Sequence, residues 1–534
     1  MSFNKECKGY WLLVLHAHLP FVKHPEYNDS IEERWFFEAL LETYIPLLDV
    51  FEKLSFENID FKLCMSISPT LMAMFDDDFL RVRFLKYLEN LIELTEKEIT
   101  RTKGDEVFNH LAKMYNERFN QVYNSYTEKY KCDINYAFKK FQELGYLEII
   151  TSSATHCYLP LYEAFPSGVR AQIEMGLKEY QNFFGKSSSG MWNAECGYFE
   201  GLEKYFEKYG IKYFFTDTHT VLNSSVRPEY GIFAPLETPE GIVYFGRDVE
   251  TSRLVWSARE GYPGDPYYRE FYRDIGFDLD YDYIKPYIHE GGNRVFTCLK
   301  YYRVTDKELP LEYKKPYIPA KAMEKVKEHS QHFVSSREKQ INYVASLMDR
   351  KPVVVSMYDA ELFGHWWYEG IDFLYNVFKG ISNSSVVKMI TPSEYLKIYP
   401  VNQISTPQLS SWGSNGYSEF WLNETNDWIY RHIHKCIDKM CFLAKKFERT
   451  SSTFIKRVLN QAAREVLLAM ASDWPFIMKT KTMEEYAKRR VLESIDNFNN
   501  LYEMCQSNRI NENILLELEK SHSIFLDIDY RIFI

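Results

Sequence analysis

The stretch VVVSMYDAELFGHWWYEG, residues 353–370, joins a buried strand to a dense group of polar and aromatic side chains. Its three valines and Met357 are typical of a strand that is covered on both faces. Asp359 and Glu361 follow directly, and because they are two positions apart they share one face in extended geometry. The rest of the group is His365, Trp366, Trp367 and Glu369. This pattern is typical of a parallel sheet whose carboxyl edge carries a functional site.

Short apolar runs alternate with longer helical stretches over roughly the first 400 residues, which favours parallel βαβ units. Helical patterns such as Ala171–Phe184 and Phe199–Tyr209 separate the runs. The predicted strands are Tyr10–His18, Phe61–Ser68, Leu147–Ser152, Gly190–Cys196, Lys212–Asp217, Val295–Leu299, Val353–Tyr358 and Val386–Ile390. Several of them run into polar clusters, so we predict an α/β fold built on a (β/α) barrel, closed or incomplete. An open doubly wound sheet is the alternative.

Two segments interrupt the alternation, and the chain changes character after Ser405. Residues 105–143 predict a helical insertion, and residues 224–317, rich in Pro, Gly, Tyr and Asp, predict a loop-rich insertion. Further on, apolar residues recur at a spacing of three to four. That spacing predicts helices over Ser418–Phe447, Thr453–Ala471, Met483–Gln506 and Glu512–His522. We therefore expect a catalytic barrel at 1–404 and a C-terminal all-α domain at 405–534.

Charge and cysteine usage exclude several classes of function. The 75 acidic residues outnumber the 64 basic ones, for a net charge of −11, and this field would repel nucleic acid but not a neutral polymer. The first apolar run, Trp11–Leu15, is too short for a membrane span. The nine cysteines are scattered, without the close pairs of a zinc site or a disulfide framework. We expect a cytoplasmic protein that contacts neither membrane nor nucleic acid.

Two further clusters follow predicted strands. His16 and His18 lie two apart at the end of the first strand and share a face, which favours ligand binding. They could bind a metal, but spacing assigns no third ligand, so no metal site is predicted. In GMWNAECGY, residues 190–198, Glu195 lies between Trp192 and Tyr198. A carboxylate at this position could hold an arginine, or it could be a glycosidase nucleophile.

A retaining glycosidase needs two carboxyl groups, one as nucleophile and one as acid and then base. The nucleophile must stay ionised, which nearby donors such as His16, His18 or Arg247 could ensure. The acid must hold a proton near neutral pH, which an apolar wall such as Trp366 or Trp367 could favour. The necessary groups are present, but spacing alone does not pair them.

Five motifs in order give the chain a resemblance to glycoside hydrolase family 57, and within it to the branching enzyme subgroup. The resemblance runs nearly from end to end. Its motifs are His16–Pro20, Thr151–His156 continuing to Pro160, Trp192–Tyr198, Tyr358–Trp367, and Arg464–Glu465 through Ser472–Phe476. Two more stretches resemble the branching subgroup, Phe245–Asp248 through Gly261–Pro266 and Ser411–Gly413 through Trp421–Asn423. One departure is Ala194, where the family often has proline.

The resemblance implies an incomplete (β/α)7 barrel, a retaining mechanism and no cofactor. It implies Glu195 as nucleophile and Asp359 as general acid/base, with Glu361 in a supporting position. The implied activity cleaves α-1,4 bonds of an α-glucan polymer, such as amylose or a glycogen-like polymer, and forms α-1,6 branches through a covalent intermediate. Alternatives are an α-amylase-type hydrolase or 4-α-glucanotransferase, and a non-catalytic glucan-binding protein. A further alternative, a metal-dependent polysaccharide deacetylase, is supported only by the paired histidines.

The resemblance and the clusters together give a set of substrate-binding candidates. They are His16, His18, His156, Trp192, Arg247, Trp256, His365, Trp366, Trp412, Trp421, Asp473 and Trp474. A transferase must also exclude water from its intermediate. The loop Ser224–Gly241, which carries Tyr230, is the candidate lid for this purpose.

Overall fold

A single sheet organises the first three quarters of the chain. The computed structural model describes residues 7–257, 260–507 and 509–534. These residues contain one ten-stranded sheet. Its strands are β1 (Gly9–Ala17), β2 (Leu63–Ile67), β3 (Leu147–Ser152), β4 (Gly190–Trp192), β5 (Tyr213–Thr216), β6 (Leu236–Glu237), β7 (Val243–Gly246), β8 (Val353–Asp359), β9 (Val387–Met389) and β10 (Gln403–Ile404).

Seven of the strands lie side by side and run parallel, in the order β8-β1-β2-β3-β4-β5-β7. From β1 to β7 the order follows the chain without the reversal that a doubly wound sheet requires. β6 pairs antiparallel with β7, and β10 pairs with β6. β9 pairs with the start of β1. The arrangement is an incomplete (β/α) barrel, and the predicted fold class is confirmed.

The ring of strands is open between β7 and β8. Within the described ranges these two strands form no ladder. The N–H of Asp248, just after β7, donates to the carbonyl of Val355 on β8 at 2.8 Å. This bond draws the two edges together, so the carboxyl ends of the parallel strands face a common space.

Helices surround the sheet and make up most of the chain after residue 426. They are α1 (Glu33–Ala39), α2 (Ile45–Phe56), α3 (Pro69–Phe75), α4 (Asp78–Arg101), α5 (Glu106–Asn124), α6 (Ile134–Glu143), α7 (Pro166–Phe184), α8 (Leu202–Tyr209), α9 (Thr218–Leu222), α10 (Val249–Trp256), α11 (Ile275–Asp278), α12 (Tyr281–Ile284), α13 (Pro319–Ala345), α14 (Gly370–Ser382), α15 (Pro392–Ile398), α16 (Asp427–Lys446), α17 (Thr453–Ala469), α18 (Asp473–Thr480), α19 (Glu484–Ser507) and α20 (Glu512–Ser521). Two π-helical turns, Leu40–Tyr44 and Ser125–Lys129, interrupt this series.

Burial explains why the sequence pattern predicts the longer strands. All nine residues of β1 are buried, because β8 and β2 flank it, other strands pack against its inner face and helices cover its outer face. β8 is buried from Val353 to Tyr358 for the same reason. Strands covered on both sides read as continuous apolar runs.

The predicted strand Val295–Leu299 is wrong. Val295, Cys298 and Leu299 are buried and Phe296 is partly buried, but the backbone of the segment pairs with no strand of the described sheet. Instead, the N–H of Thr297 donates to the Asp274 carboxylate, and the carbonyl of Leu299 accepts from Ile275 N. Burial produced the apolar pattern without a ladder. Conversely, β7 lies inside the segment that reads as loops, because four residues are too few to show a period.

The C-terminal helices dock on the carboxyl edge of the sheet. Ser472 N donates to the carbonyl of His156 after β3, and Trp412 N donates to the carbonyl of Glu195 after β4 at 2.7 Å. α17 buries Leu459, Val466 and their neighbours in the same core. Among the described helices, none has both the length and the apolar character needed to span a membrane. The domain limits at 404 and 405 stay a prediction.

Candidate active site

The carboxyl ends of the parallel strands open into one cavity of about 1210 Å³. β1 contributes His16 and leads to His18, and β3 leads to His156. β4 leads to Glu195, and β8 ends in Asp359. Cavities at this edge are the usual active sites of barrel folds.

Glu195 projects into the cavity from a strained turn. After β4 the chain forms a short helical turn, Ala194–Cys196, in which Glu195 has a left-handed backbone with φ +62°. Cys196 is left-handed as well, at φ +52°. Such backbones are unfavourable for residues other than glycine and are found where surrounding contacts enforce them. Here the bond from Trp412 N to the Glu195 carbonyl is one of those contacts.

Two donors bind the Glu195 carboxylate. The indole Nε1–H of Trp412 donates at 2.7 Å, and the hydroxyl of Ser472 donates at 3.0 Å. Burial raises the pKa of Glu195 to about 7, while these two hydrogen bonds work in the opposite direction. Because both bonds favour the ionised form, this carboxyl is suited to act as a nucleophile.

The surroundings of the Asp359 carboxyl group differ from those of Glu195. No donor of the described chain lies within hydrogen-bonding distance of its carboxyl group. Burial raises its pKa well above the ordinary value, and the charges of Glu361 and Glu195 raise it further. The charge of Arg247 opposes this shift. A carboxyl that keeps its proton beside one that is stabilised as an anion is the pairing that acid–base catalysis requires.

Arg247 is placed differently from the sequence-based expectation. It was expected to help keep the nucleophile ionised. Its guanidinium instead pairs with Asp217, lies 5.5 Å from the ring centre of Trp412, and lowers the pKa of Asp359. Burial, rather than Trp366 or Trp367 in particular, is the largest cause of the raised pKa of Asp359.

Three imidazoles form a stack on the floor of the cavity. His16 and His156 share a hydrogen bond between their Nε2 atoms at 2.9 Å, and the rings of His18 and His156 lie 3.8 Å apart. Burial and the charge of His18 lower the pKa of both His16 and His156. Burial also disfavours a charge on His18, but Asp473 at 3.0 Å, together with the charges of Glu195 and Glu361, raises the pKa of His18. The stack therefore combines one ring whose protonated form is favoured with two rings whose neutral form is favoured.

His18, His156 and Asp473 also come close enough to share a cation, with possible ligand atoms within 4.8 Å of one another. Protein partners already engage most of these atoms. His18 Nε2 bonds Asp473, and the two nitrogens of His156 bond His16 and Ser472. The hydrogen bonds account for the cluster without a metal.

Aromatic side chains form the walls. One group comes from the C-terminal region: Trp412, Phe420, Trp421 and Phe476. The other comes from segments that flank β8: Trp256, Phe271, Tyr272 and Trp366. Trp366 is 53% exposed, and its indole stacks on Phe271 at 4.5 Å. Lys300 supports Phe271 from 4.0 Å. Flat apolar faces held in this way suit the apolar faces of sugar rings.

Eleven of the fourteen predicted site residues line the cavity. They are His16, His18, His156, Glu195, Arg247, Trp256, Asp359, Trp366, Trp412, Trp421 and Asp473. The other three lie behind it. Trp192 is buried and stacks on His16 at 4.5 Å, His365 bonds Glu42 at 2.8 Å, and buried Trp474 donates to the Leu468 carbonyl at 3.0 Å. The roles of all fourteen stay predictions.

The structure adds residues that the sequence did not single out. Ser472 bonds the Glu195 carboxylate, Phe271 and Tyr272 extend the wall, and the segment from Lys307 to Leu311 lies at the rim. They come from loops and a helix start, where no periodicity marks them.

The lid predicted around Tyr230 is wrong. Its hydroxyl donates to Asp349 at 2.6 Å, and Val353 N donates to the Phe233 carbonyl. Both contacts lie at the amino end of β8, whereas Asp359 lies at the carboxyl end.

Models of two known protein families match the sequence of this chain. The model of glycosyl hydrolase family 57 matches residues 12–340. The chain belongs to glycosyl hydrolase family 57. A second model, described as 1,4-alpha-glucan branching enzyme, C-terminal, matches residues 432–533. The family match includes the segments of His16, His156 and Glu195, and the second match includes Asp473.

Branching enzymes and an alpha-amylase are similar to this protein over nearly the whole chain. A 1,4-alpha-glucan branching enzyme of Thermococcus kodakarensis is 35% identical over 97% of this chain and 77% of its own. The solved structure of a GH57-type branching enzyme from Pyrococcus horikoshii has a TM-score of 0.88 and 35% identity, covering 99% of this chain and 97% of that chain. An alpha-amylase from Thermotoga maritima has a TM-score of 0.93 and 45% identity, covering 98% and 99%.

Proposed function

We propose that this chain is a 1,4-α-glucan branching enzyme that works by retaining transglycosylation. One observation carries the proposal. Glu195 and Asp359 line the same cavity, whose walls are aromatic, and their carboxyl groups have different surroundings. Glu195 accepts two hydrogen bonds that favour its anion, and Asp359 has charges beside it that favour its protonated form. This is the division of roles that a retaining enzyme needs.

In the first half-reaction, the Glu195 carboxylate attacks the anomeric carbon of an internal α-1,4-linked glucose. Asp359 gives its proton to the departing 4-oxygen, and the reducing-end part of the chain leaves. The products are a covalent glucosyl–Glu195 ester and an ionised Asp359. Bonds from Trp412 and Ser472 hold the nucleophile in place for this step.

In the second half-reaction, Asp359 removes the proton from the 6-hydroxyl of a second glucan. The resulting oxygen attacks the anomeric carbon, the bond to Glu195 breaks, and an α-1,6 branch forms with retained configuration. Water can take the place of the 6-hydroxyl, and the product is then a hydrolysed chain. Aromatic walls on both sides of the catalytic pair support binding of a second glucan.

The histidine stack and the aromatic walls support an α-glucan polymer as the substrate. His18, whose protonated form is favoured, and His16 and His156, whose neutral forms are favoured, can bond the hydroxyl groups of the glucose at the cleavage point. Exposed Trp366 can stack on a neighbouring glucose unit, and Trp421 lies buried in the wall beside the cavity. No cofactor enters this chemistry.

We also propose that the enzyme serves glycogen-like polymer synthesis in the cytoplasm. The nine cysteines are free thiols, which suits a reducing compartment. The negative charge suits a neutral polymer better than nucleic acid. In this proposal residues 1–404 supply the catalytic pair and residues 405–534 complete the glucan site.

Incubation with linear amylose tests the proposal. Proton NMR follows α-1,6 linkages, and a reducing-end assay follows hydrolysis in the same sample. A branching enzyme produces α-1,6 signal with few net reducing ends. Glu195→Gln is the matched control and should produce neither.

Hydrolysis is the competing function, because the chain is also similar to an alpha-amylase. Reducing ends that accumulate without α-1,6 signal would establish the hydrolase and remove the branching activity from the proposal. The same catalytic pair would then remain in place with water as the acceptor.

A further inference from the structure

A π-helical turn lies behind the catalytic loop that follows β8. Residues Leu40–Tyr44 form this turn between α1 and α2. Such turns are rare, and they frequently occur at functional sites. Every residue of the turn is buried, so its polar groups must find partners inside the protein.

Three consecutive residues of the turn hold the loop. The hydroxyl of Thr43 donates to the Phe363 carbonyl at 2.9 Å, and Glu42 bonds His365 Nδ1 at 2.8 Å. Tyr44 donates its hydroxyl hydrogen to Oε1 of Glu361. The backbone of the turn is equally close, since the Glu42 carbonyl lies against Gly364.

Glu361 connects this turn to the catalytic acid. It lies in the short helical turn Ala360–Leu362, for which Asp359 is the N-cap residue. Its carboxylate also accepts the backbone N–H of His18 at 3.1 Å. One buried carboxylate thus joins the loop after β1, the loop after β8 and the π-helical turn.

We propose that Tyr44 is a positioning residue for glycosyl transfer, acting on Asp359 through the carboxylate of Glu361. The inference rests on the roles proposed above for Glu195 and Asp359. Tyr44 itself contacts neither the cavity nor those two side chains; the described contact of its hydroxyl is with Glu361.

The electrostatics follow from the groups that face each carboxyl. Glu361 faces Tyr44 from the π-helical turn, His18 from the loop after β1, and Asp359 on its own loop. Asp359 faces Glu361, Glu195 and Arg247, and its charge is also felt by the Tyr44 hydroxyl and the Cys196 thiol. Burial raises the pKa of Glu361, and the Tyr44 hydroxyl is the leading group that lowers it. The Tyr44 hydroxyl therefore favours the anionic form of Glu361, and a negative charge on Glu361 favours the protonated form of Asp359.

These contacts fix the direction in which Tyr44→Phe should shift the pH profile. Tyr44→Phe removes the donor, so the pKa of Glu361 rises and its anionic form becomes less favoured. The negative charge beside Asp359 is then reduced, and the pKa of Asp359 falls. Since Asp359 must be protonated to act as the acid, the alkaline limb of the kcat/KM–pH profile moves to lower pH, by about one unit.

The test compares the pH profiles of kcat/KM on amylose of four variants with the profile of the wild-type protein. Tyr44→Phe and Glu361→Gln should both move the alkaline limb to lower pH, and the double variant should move it no further. Thr43→Val is the matched control, because it removes a bond of the same turn without touching Glu361, and it should leave the limb in place. Circular dichroism and thermal melting confirm that each variant is folded.

Two outcomes separate the inference from the proposed function. An unmoved alkaline limb in both Tyr44→Phe and Glu361→Gln would overturn the positioning role, and it would leave the catalytic pair untouched. Full activity in Asp359→Asn would overturn the proposed function itself.

Discussion

Trp412, which lies more than 200 positions along the chain from Glu195, donates its indole N–H to the Glu195 carboxylate at 2.7 Å. Its backbone N–H also binds the Glu195 carbonyl at 2.7 Å. One residue of the C-terminal region thus binds both the side-chain carboxylate and the backbone carbonyl of Glu195, the proposed nucleophile. The candidate active site is therefore completed by a part of the chain outside the barrel strands.

Trp412→Phe should move the acidic limb of the kcat/KM–pH profile to higher pH. The indole bond favours the ionised form of Glu195, so its removal raises a pKa that already lies at about 7. A hydrogen bond to a charged group contributes about 1.5–3 kcal/mol, which corresponds to a shift of about one pH unit or more. Ser472→Ala removes the second donor and should shift the limb in the same direction. An acidic limb that stays in place in both variants would contradict this account of Glu195.

Gly364→Ala should destabilise the protein severely. A Cβ at this position would lie 1.9 Å from the carbonyl oxygen of Glu42, and Gly364 has φ +98°. The clash and the left-handed backbone together should cost more than about 3 kcal/mol in the free energy of unfolding. Denaturant titration measures the loss. Gly104→Ala is the control, because nothing lies within 4 Å of its added Cβ. Equal stability of the two variants would show that the π-helical turn does not pack against the catalytic loop.

Trp366→Ala should weaken glucan binding without affecting the fold. Its indole is exposed and stacks on Phe271, so truncation removes a platform but little core packing. We expect KM for amylose to rise about tenfold, since loss of an aromatic stacking face is worth about 1 kcal/mol or slightly more. Tyr343→Ala, which removes an aromatic residue of similar exposure on α13, should leave KM unchanged. A wild-type KM in Trp366→Ala would show that the platform does not bind substrate.

A chelator should leave activity unchanged. His18, His156 and Asp473 are close enough to share a cation, but hydrogen bonds among themselves and with His16 and Ser472 engage them. Activity on amylose is measured before and after dialysis against EDTA. Loss of activity that returns with a divalent metal would favour the metal-dependent class of polysaccharide enzymes instead.

How much of the structure the sequence predicts depends on burial. β1 and β8 are covered on both faces, so their apolar runs mark them clearly, and the polar residues at their ends identify His16, His18 and Asp359. Val295–Leu299 shows the limit, because a buried loop has the same apolar composition. Strands of two to four residues, such as β6 and β7, are too short for any period to appear.

The sequence also predicts only part of the candidate active site. Motifs identify the residues that follow strands, but they do not show which partner each residue meets. Arg247 is recognisable from its motif, yet only the structure shows that it pairs with Asp217. Tyr44 follows Glu42 and Thr43 in the π-helical turn, and its contact with Glu361 spans 317 positions along the chain. Contacts across such separations depend on how the elements pack, which no local pattern records.

The central claim is that Glu195 carries the glucan as a covalent ester, and trapping that ester tests it most directly. Asp359→Asn is incubated with α-maltotriosyl fluoride, whose fluoride leaves without an acid, so the ester can form. The ester then breaks down slowly because the base is missing. Mass spectrometry of the intact protein should show one added maltotriosyl group, and peptide mapping should locate it within residues 190–198. The double variant Glu195→Gln/Asp359→Asn should show none. A label on another residue, or a label that persists without Glu195, would contradict the account.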